Sequence, residues 1–148
     1  MPDHVQRLVG TWKLVSASAS TDGGDVDYTP YGTEPQGILT YTSDGWVMAI
    51  ICHSARRLLS TGDRVSASPE ERAEAFATFF SYAGRYAISS DRVIHHVEIA
   101  SVGNWAGTDM IRVVHLDGDR MTLATPPLSI GGQTRTFELF WERVSQRR

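Results

Sequence analysis

The chain has 148 residues, a net charge of −3 and one cysteine, Cys52, so we expect a single domain over residues 1–148 with a packed core. Its basic residues form no stripe that could follow a phosphate backbone, which argues against nucleic acid as a partner. Because no apolar run approaches the roughly 18 residues of a membrane span and no secretory signal is visible, a soluble cytoplasmic protein without a membrane partner is expected.

The chain begins with a strand and a long loop. Residues 8–20 alternate between polar and apolar side chains, which predicts a strand with Trp12, Leu14 and Ser16 on one face. Residues 21–37 contain four Gly and two Pro without a sustained period, which indicates a loop. Loops of that length in a compact domain often cover a site.

A hairpin follows over residues 38–53. Asp44-Gly45 between two apolar runs is a strong hairpin signal. A two-residue turn at this point pairs Tyr41 with Met48. Such a pairing puts four side chains on one face, namely Leu39, Tyr41, Met48 and Ile50.

One short helix is predicted between the third and fourth strands. Ser68 and Glu71 form a capping box around Pro69, and Gly84 provides a stop. The apolar positions at helical spacing are Ala73, Phe76, Ala77 and Phe80. They predict one face that docks against the rest of the domain.

Five further strands are predicted over residues 85–89, 92–101, 109–116, 120–125 and 134–144. A three-residue turn at 89–91 pairs Tyr86 with Ile94, and a tight turn at 117–118 pairs Arg112 with Leu123. These registers place one set of side chains on a common side: Tyr86, His96, Glu98, Arg112, Val114, Met121 and Leu123. Because most of its neighbours are large and apolar, that side is expected to face the interior.

Eight strands joined mostly by short turns are the pattern of an antiparallel meander. Such a meander can close into an up-and-down barrel, which removes its exposed edges, and eight strands leave room for side chains or one small ligand. Closure requires the first strand beside the last, where Trp12 and Trp141 lie.

Several motifs, in this order along the chain, resemble the lipocalin-like domain family of small bacterial and fungal proteins. They are GTWKLVS at 10–16, YTSDG at 41–45, FFSYAGRY at 79–86, HHVE at 95–98, NWAGTDMIR at 104–112, DGDRMTL at 117–123 and WERV at 141–144. The resemblance implies an eight-stranded barrel with a lumen. It also implies that Gly10 and Trp12 form the family's Gly-x-Trp motif, with Arg143 stacked over the Trp.

What the resemblance implies about function is broader. Related barrels bind apolar small molecules, and some lipocalin-like proteins of specialised metabolism act as cofactor-free cyclases or isomerases. The fold alone does not select one reaction.

The candidate catalytic residues are His96, Glu98 and Arg112. If they face the lumen, Glu98 opposite Arg112 forms a desolvated ion pair, and His96 could exchange protons near neutral pH. The alternative is an ordinary cross-strand pair on the outer surface, worth about 0.2–1 kcal/mol. The pairing pattern and the resemblance favour the inward placement.

The candidate ligand-binding residues are expected on the same side. Tyr41, Tyr86 and Ser16 offer hydroxyl groups that could orient the polar end of an apolar ligand, although each is also explained as a core residue with a local hydrogen bond. The apolar lining is expected to comprise Trp12, Met48, Ile50, Leu123 and Trp141.

No metal and no cofactor are expected. His95 and His96 are adjacent in a strand and so point to opposite faces, which prevents them from chelating one ion, and His53 and His115 add no ligand spacing.

Three functions remain open from the sequence. The first is a cofactor-free cyclase, isomerase or dehydratase, and the second is a carrier that binds a small molecule without changing it. The third is a barrel whose interior is filled by side chains such as Trp12, Met48, Met121 and Trp141. The expected partner is a small-molecule ligand, with a homodimer left open.

Overall fold

The computed structural model describes residues 3–21, 26–130 and 132–145. The helices are α1 (Asp3–Leu8), α2 (Pro69–Ala77) and a short 3-10 helix (Gly103–Trp105). The strands are β1 (Gly10–Thr21), β2 (Val26–Tyr28), β3 (Gln36–Tyr41), β4 (Trp46–Cys52), β5 (Phe79–Ser89), β6 (Arg92–Ala100), β7 (Asp109–Asp117), β8 (Arg120–Ala124), β9 (Leu128–Ile130) and β10 (Gln133–Arg143). None of the helices in the described residues is long and apolar enough to cross a membrane.

The strands close into an antiparallel barrel in the order β1-β3-β4-β5-β6-β7-β8-β10, with β10 paired back onto β1. The short strands β2 and β9 pair only with β1 and β10 and extend the sheet at its edges. The predicted eight-stranded barrel is confirmed, and so is the short helix, α2, before the fourth strand of the barrel, β5.

The hairpin between β3 and β4 has a different register from the predicted one. Tyr41 pairs with Val47, not with Met48, because the loop contains three residues and Gly45 adopts a φ of +97°, a conformation that favours glycine. A shift of one residue exchanges the two faces of a strand. Met48 and Ile50 are therefore about half exposed on the outer wall, and the prediction that they face the interior is wrong.

The hairpin between β5 and β6 shows the opposite error. Its loop is two residues rather than three, with Ser89 paired to Arg92 and Ser90 at a φ of +58°. Tyr86 consequently pairs with His95. His95 therefore faces the interior, whereas its neighbours His96 and Glu98 are exposed on the outer wall. The predicted inward placement of these two residues is wrong.

The helix α2 is capped as predicted but ends earlier. The Ser68 side chain accepts a hydrogen bond from the Glu71 N–H, and the Glu71 carboxylate accepts from the Ser68 N–H, completing the capping box. The helix ends at Ala77, and strand β5 begins at Phe79. Gly84 does not stop the helix. It lies at a bulge where a Cβ would come within 1.9 Å of the His96 carbonyl oxygen, so only glycine allows β5 and β6 to approach there.

A second bulge moves Ser16 to the outer wall. Leu14 pairs with Trp141, but the next pairing is Ser16 with Phe140, so the alternation of β1 shifts by one residue. Beyond the bulge the buried residues are Ala17 and Ala19. The expectation that Ser16 faces the interior is wrong for this reason.

The end of the barrel beneath α1 is closed by Arg143 and Trp12. The guanidinium carbon lies 4.2 Å from the centre of the Trp12 ring, and its nitrogens donate to the carbonyl oxygens of Arg7 and Val9. Asp119 forms an ion pair with it at 3.3 Å. The Trp12 indole N–H in turn donates to Leu8 O at 3.0 Å. These contacts tie α1 to both strands that close the barrel.

We predict that Arg143→Met lowers the free energy of unfolding by about 2–4 kcal/mol, because it removes charge-assisted hydrogen bonds and a cation–π contact from a largely buried site. Urea denaturation measures the change. Arg92→Met, a matched change at an exposed residue of β6, should stay within about 0.5 kcal/mol of wild type. Equal effects of the two substitutions would contradict the role given to Arg143.

Candidate functional site

The opposite end of the barrel contains a cavity of about 750 Å³. This volume lies within the range of small-molecule sites, roughly 300–1,000 Å³. The aliphatic part of its wall includes Leu39, Ala49, Ile51, Leu123 and Leu139. The interior is therefore not filled by side chains, which argues against a barrel without a lumen.

Aromatic rings surround the mouth of the cavity. Phe80 packs edge-to-face on Trp105, with ring centres 5.5 Å apart, and Tyr31 lies against Phe80 at 5.6 Å. Tyr82 also packs edge-to-face on Trp105, with ring centres 6.4 Å apart. Phe76 of α2 also lines the cavity although its side chain is 59% exposed. A flat aromatic molecule would find edge and face contacts on several sides.

A buried histidine lies at the base of the cavity. The His95 Nε2 atom is 2.7 Å from the Tyr41 hydroxyl, and its Nδ1 atom is 2.8 Å from the Tyr82 hydroxyl. Burial lowers the pKa of His95 to about 3, with smaller contributions from the positive charges of Arg112 and His96. The imidazole is therefore neutral at physiological pH and carries a single N–H.

The hydrogen-bond requirements of Tyr41 select the tautomer of His95. The Tyr41 hydroxyl is fully buried, and His95 is its hydrogen-bond partner. If Nε2 carried the proton, the Tyr41 O–H would be left without an acceptor, which costs about 1–3 kcal/mol. Tyr41 therefore donates to Nε2, and Nδ1–H donates to the Tyr82 oxygen. This arrangement leaves the Tyr82 O–H, in the wall of the cavity, without an acceptor among the described residues.

Arg112 adds a positive charge to the same wall. Its guanidinium donates to Ile111 O at 2.9 Å and to the Met110 sulfur at 3.7 Å. No carboxylate within the described part of the chain forms an ion pair with it. Burial raises the pKa of Tyr82 to about 12, with the Arg112 charge acting in the opposite direction. The cavity therefore contains a cation whose neighbours Tyr82 and His95 are neutral at physiological pH. The carboxylate of Asp109, which also lines the cavity, bonds to His96.

Arg112, Leu123 and Trp141 are the predicted site residues that the structure brings to the cavity. The β7–β8 hairpin pairs Leu123 with Val114, two positions from its predicted partner Arg112. A shift of two residues keeps the same face inward, so the predicted orientation of Arg112 and Leu123 is correct.

Three predicted ligand contacts lie inside the barrel but away from the cavity wall. Tyr41 is hydrogen-bonded to His95, and His95 lines the cavity. Tyr86 donates to Thr42 O at 2.7 Å and packs edge-to-face on Tyr41. Trp12 is completely buried at the closed end. The indole N–H of Trp141, by contrast, has no hydrogen-bond partner among the described atoms, although its ring lines the cavity.

His96 and Glu98 lie on the outer wall with no access to the cavity. His96 Nδ1 is 2.7 Å from Asp109 Oδ1, and both side chains are about half exposed. The predicted pairing of Glu98 with Arg112 is wrong, since Arg112 lies opposite Val93. In the described residues no group of three or more His, Cys, Asp or Glu side chains could hold a metal ion.

Sequence reasoning missed His95 and Tyr82. Both belong to motifs that the sequence singled out, HHVE and FFSYAGRY. Counting the Ser90-Asp91 loop as two residues would have placed His95 inside, and reading FFSYAGRY as a strand would have found Tyr82.

The stability of the protein should depend on the neutral state of His95. Unfolding returns its pKa from about 3 to about 6.5, so the unfolded chain gains a proton that the folded protein excludes. The contribution of neutral His95 to the free energy of unfolding is therefore fully present above pH 6.5. It falls as the pH drops toward 3, by at most about 1.4 kcal/mol per pH unit. We predict that His95→Gln, which cannot titrate, removes this part of the slope in urea denaturation between pH 7 and pH 4.

The matched control for that measurement is His96→Gln on the outer wall. Because an exposed ion pair contributes little, this variant should keep the wild-type dependence on pH. A His95→Gln slope equal to that of wild type would show that His95 is not the buried neutral group inferred from its contacts.

Comparisons with known proteins agree with the barrel and its lumen. The family model of the lipocalin-like domain matches residues 9–144. A relative from Aspergillus oryzae, the 4'-hydroxy-3'-methoxypropiophenone carrier protein ppsC, is 38% identical over 89 residues, which cover 54% of this chain and 80% of that protein. The crystal structure of Rv2717c from M. tuberculosis aligns over 98% of this chain and 99% of its own with 11% identity and a TM-score of 0.33. Since the family model covers nearly the whole chain, this protein belongs to the lipocalin-like domain family.

Proposed function

We propose that this protein binds one small, mostly apolar molecule with an aromatic ring inside the barrel. The observation that carries the proposal is the cavity of about 750 Å³ with aromatic rings at its mouth and hydrogen-bonding groups at its base. Apolar walls supply affinity in such sites, and a few polar groups supply orientation. Among the functions left open by the sequence, this arrangement supports a carrier or binding protein best.

The A. oryzae relative supports an aryl ketone as a first probe, because its name states that it carries 4'-hydroxy-3'-methoxypropiophenone. That molecule has one aromatic ring and polar oxygens at both ends. In this protein, Tyr82 and Arg112 would hold one oxygen, and the rings of Phe80 and Trp105 would contact the aromatic part.

Blocking the cavity should abolish binding. Ala49 is buried and its side chain lines the cavity, so Ala49→Phe places a phenyl ring in the ligand's space. We predict at least a tenfold loss of affinity for 4'-hydroxy-3'-methoxypropiophenone, measured by calorimetry or by quenching of tryptophan fluorescence.

Ala87→Phe is the matched control, because Ala87 is exposed on the outer face of β5. It should bind the probe with wild-type affinity. Circular dichroism of both variants checks that the barrel has formed. Unchanged affinity in a folded Ala49→Phe variant would exclude the cavity as the binding site.

We infer that acid/base catalysis is the second candidate function, favoured by one observation, that Tyr82 and Arg112 both line the cavity. If both donated to the same ligand oxygen, they would stabilise negative charge developing on a carbonyl. The catalytic set would then be Arg112 and Tyr82, supported by His95, in place of the expected His96 and Glu98.

Deuterium exchange tests this second candidate. Enolisation releases a proton from the carbon beside the carbonyl to water and returns a deuteron from heavy water. If the site stabilises the enolate, the protein should speed exchange into the probe, followed by proton NMR, and Arg112→Gln should remove the effect. If the bound probe exchanges no faster than it does in buffer, catalysis is excluded and binding remains as the function.

A further inference from the structure

We propose that the ligand carries an acidic oxygen, a phenol or a carboxylic acid, that Arg112 and Tyr82 bind as the anion. The proposal rests on the proposed function and specifies the chemical class of its ligand. Phenolate and carboxylate share the feature that matters at this site, an anionic oxygen on a largely apolar skeleton.

The first support is the direction of the hydrogen bonds at the base of the cavity. Tyr41 donates to His95, and His95 donates to Tyr82. In this tautomer the Tyr82 oxygen accepts from His95, and its O–H has no acceptor among the described residues. A ligand atom that satisfies this O–H is an acceptor, and an anionic oxygen is the strongest acceptor available to it.

The second support is the unbalanced charge of Arg112. The titratable groups that line the cavity with Arg112 are Tyr31, His53, Tyr82 on β5, His95 on β6 and Asp109, and Tyr41 on β3 lies behind His95. Tyr41, Tyr82 and His95 are neutral at physiological pH. The Asp109 carboxylate bonds to His96 and is 58% exposed to solvent. No carboxylate among the described residues pairs with the guanidinium, so a bound anion would supply its counter-charge.

The sign of the effect on the ligand's own pKa distinguishes this proposal from simple apolar binding. Transfer of an acid into an apolar cavity disfavours its charged form and raises its pKa. A neighbouring cation that donates hydrogen bonds to the anion lowers it. An apolar container and an anion site therefore shift the pKa of the same bound phenol in opposite directions.

The experiment is a spectrophotometric titration of 4'-hydroxy-3'-methoxypropiophenone, whose phenolate absorbs at longer wavelength than the phenol, free and saturated with protein. We expect binding to lower the pKa of the probe by about one unit, equivalent to a tenfold preference for the anion. In Arg112→Gln the pKa of the bound probe should lie above that of the free probe. Arg112→Lys should keep the lowered value in part, because the charge remains.

Two further ligands test the same point in the wild-type protein, independently of whether the variants fold. Above the pKa of the probe, its 4'-methyl ether should bind about tenfold more weakly, since it has the same shape but no acidic oxygen. 3,4-Dimethoxybenzoate tests the carboxylate source: tighter binding than the phenolate would identify a carboxylic acid as the ligand class, and weaker binding would identify a phenol.

The outcomes distinguish a failure of the proposed function from a failure of the anion site. If neither the probe nor its ether binds, the proposed function fails. If they bind with equal affinity and the pKa of the bound phenol rises, the protein is an apolar container and the anion site is overturned.

Discussion

Closure of the barrel between β1 and β10 is the constraint on which the rest of the structure depends. The two strands pair along almost their whole length, and Arg143 locks their ends to the helix α1 through two backbone carbonyls and the Trp12 ring. Because this end is filled by side chains, the lumen formed by the described residues opens at the other end. The aromatic rings at this mouth and the polar groups at the base line the same cavity.

Burial determines the electrostatics of that place. Desolvation keeps His95 uncharged, and the buried hydroxyl of Tyr41 then determines which imidazole nitrogen carries the proton. In that tautomer His95 donates to the Tyr82 oxygen, and the Tyr82 O–H faces the cavity. Arg112 therefore lies in the cavity wall beside the neutral side chains of Tyr82 and His95.

In the HHVE motif, an exposed histidine and a buried histidine are adjacent in sequence. His96 and Asp109 form an ordinary exposed pair on the outer wall, one residue away from the buried His95. Adjacent residues of a strand face opposite sides, so the two histidines have opposite environments and different chemistry. A one-residue error in register is sufficient to exchange them.

The lengths of the hairpin loops explain which predictions held. The loop at Asp44-Gly45 was predicted one residue too short, and the loop at Ser90 was predicted one residue too long. Each error exchanged the inner and outer faces of a strand. At Gly118 the predicted pairing was wrong by two residues, and Arg112 and Leu123 kept their orientation. The bulge in β1 similarly reversed Ser16. A turn signal locates a hairpin, but the positive-φ residue within it determines the loop length.

By itself the sequence determined the class of fold. Alternation, turn residues and the capping box are local signals, and they identified the barrel strands, the short helix and the joining of the first strand to the last. Only the tertiary structure decided the site, because the orientation of each strand depends on bulges and loop conformations and on packing across the barrel. The glycine at position 84, which resembled a helix stop, lies instead where two strands touch. Its role required contact with a strand that is distant in sequence, and the same is true of the tyrosines that hold His95.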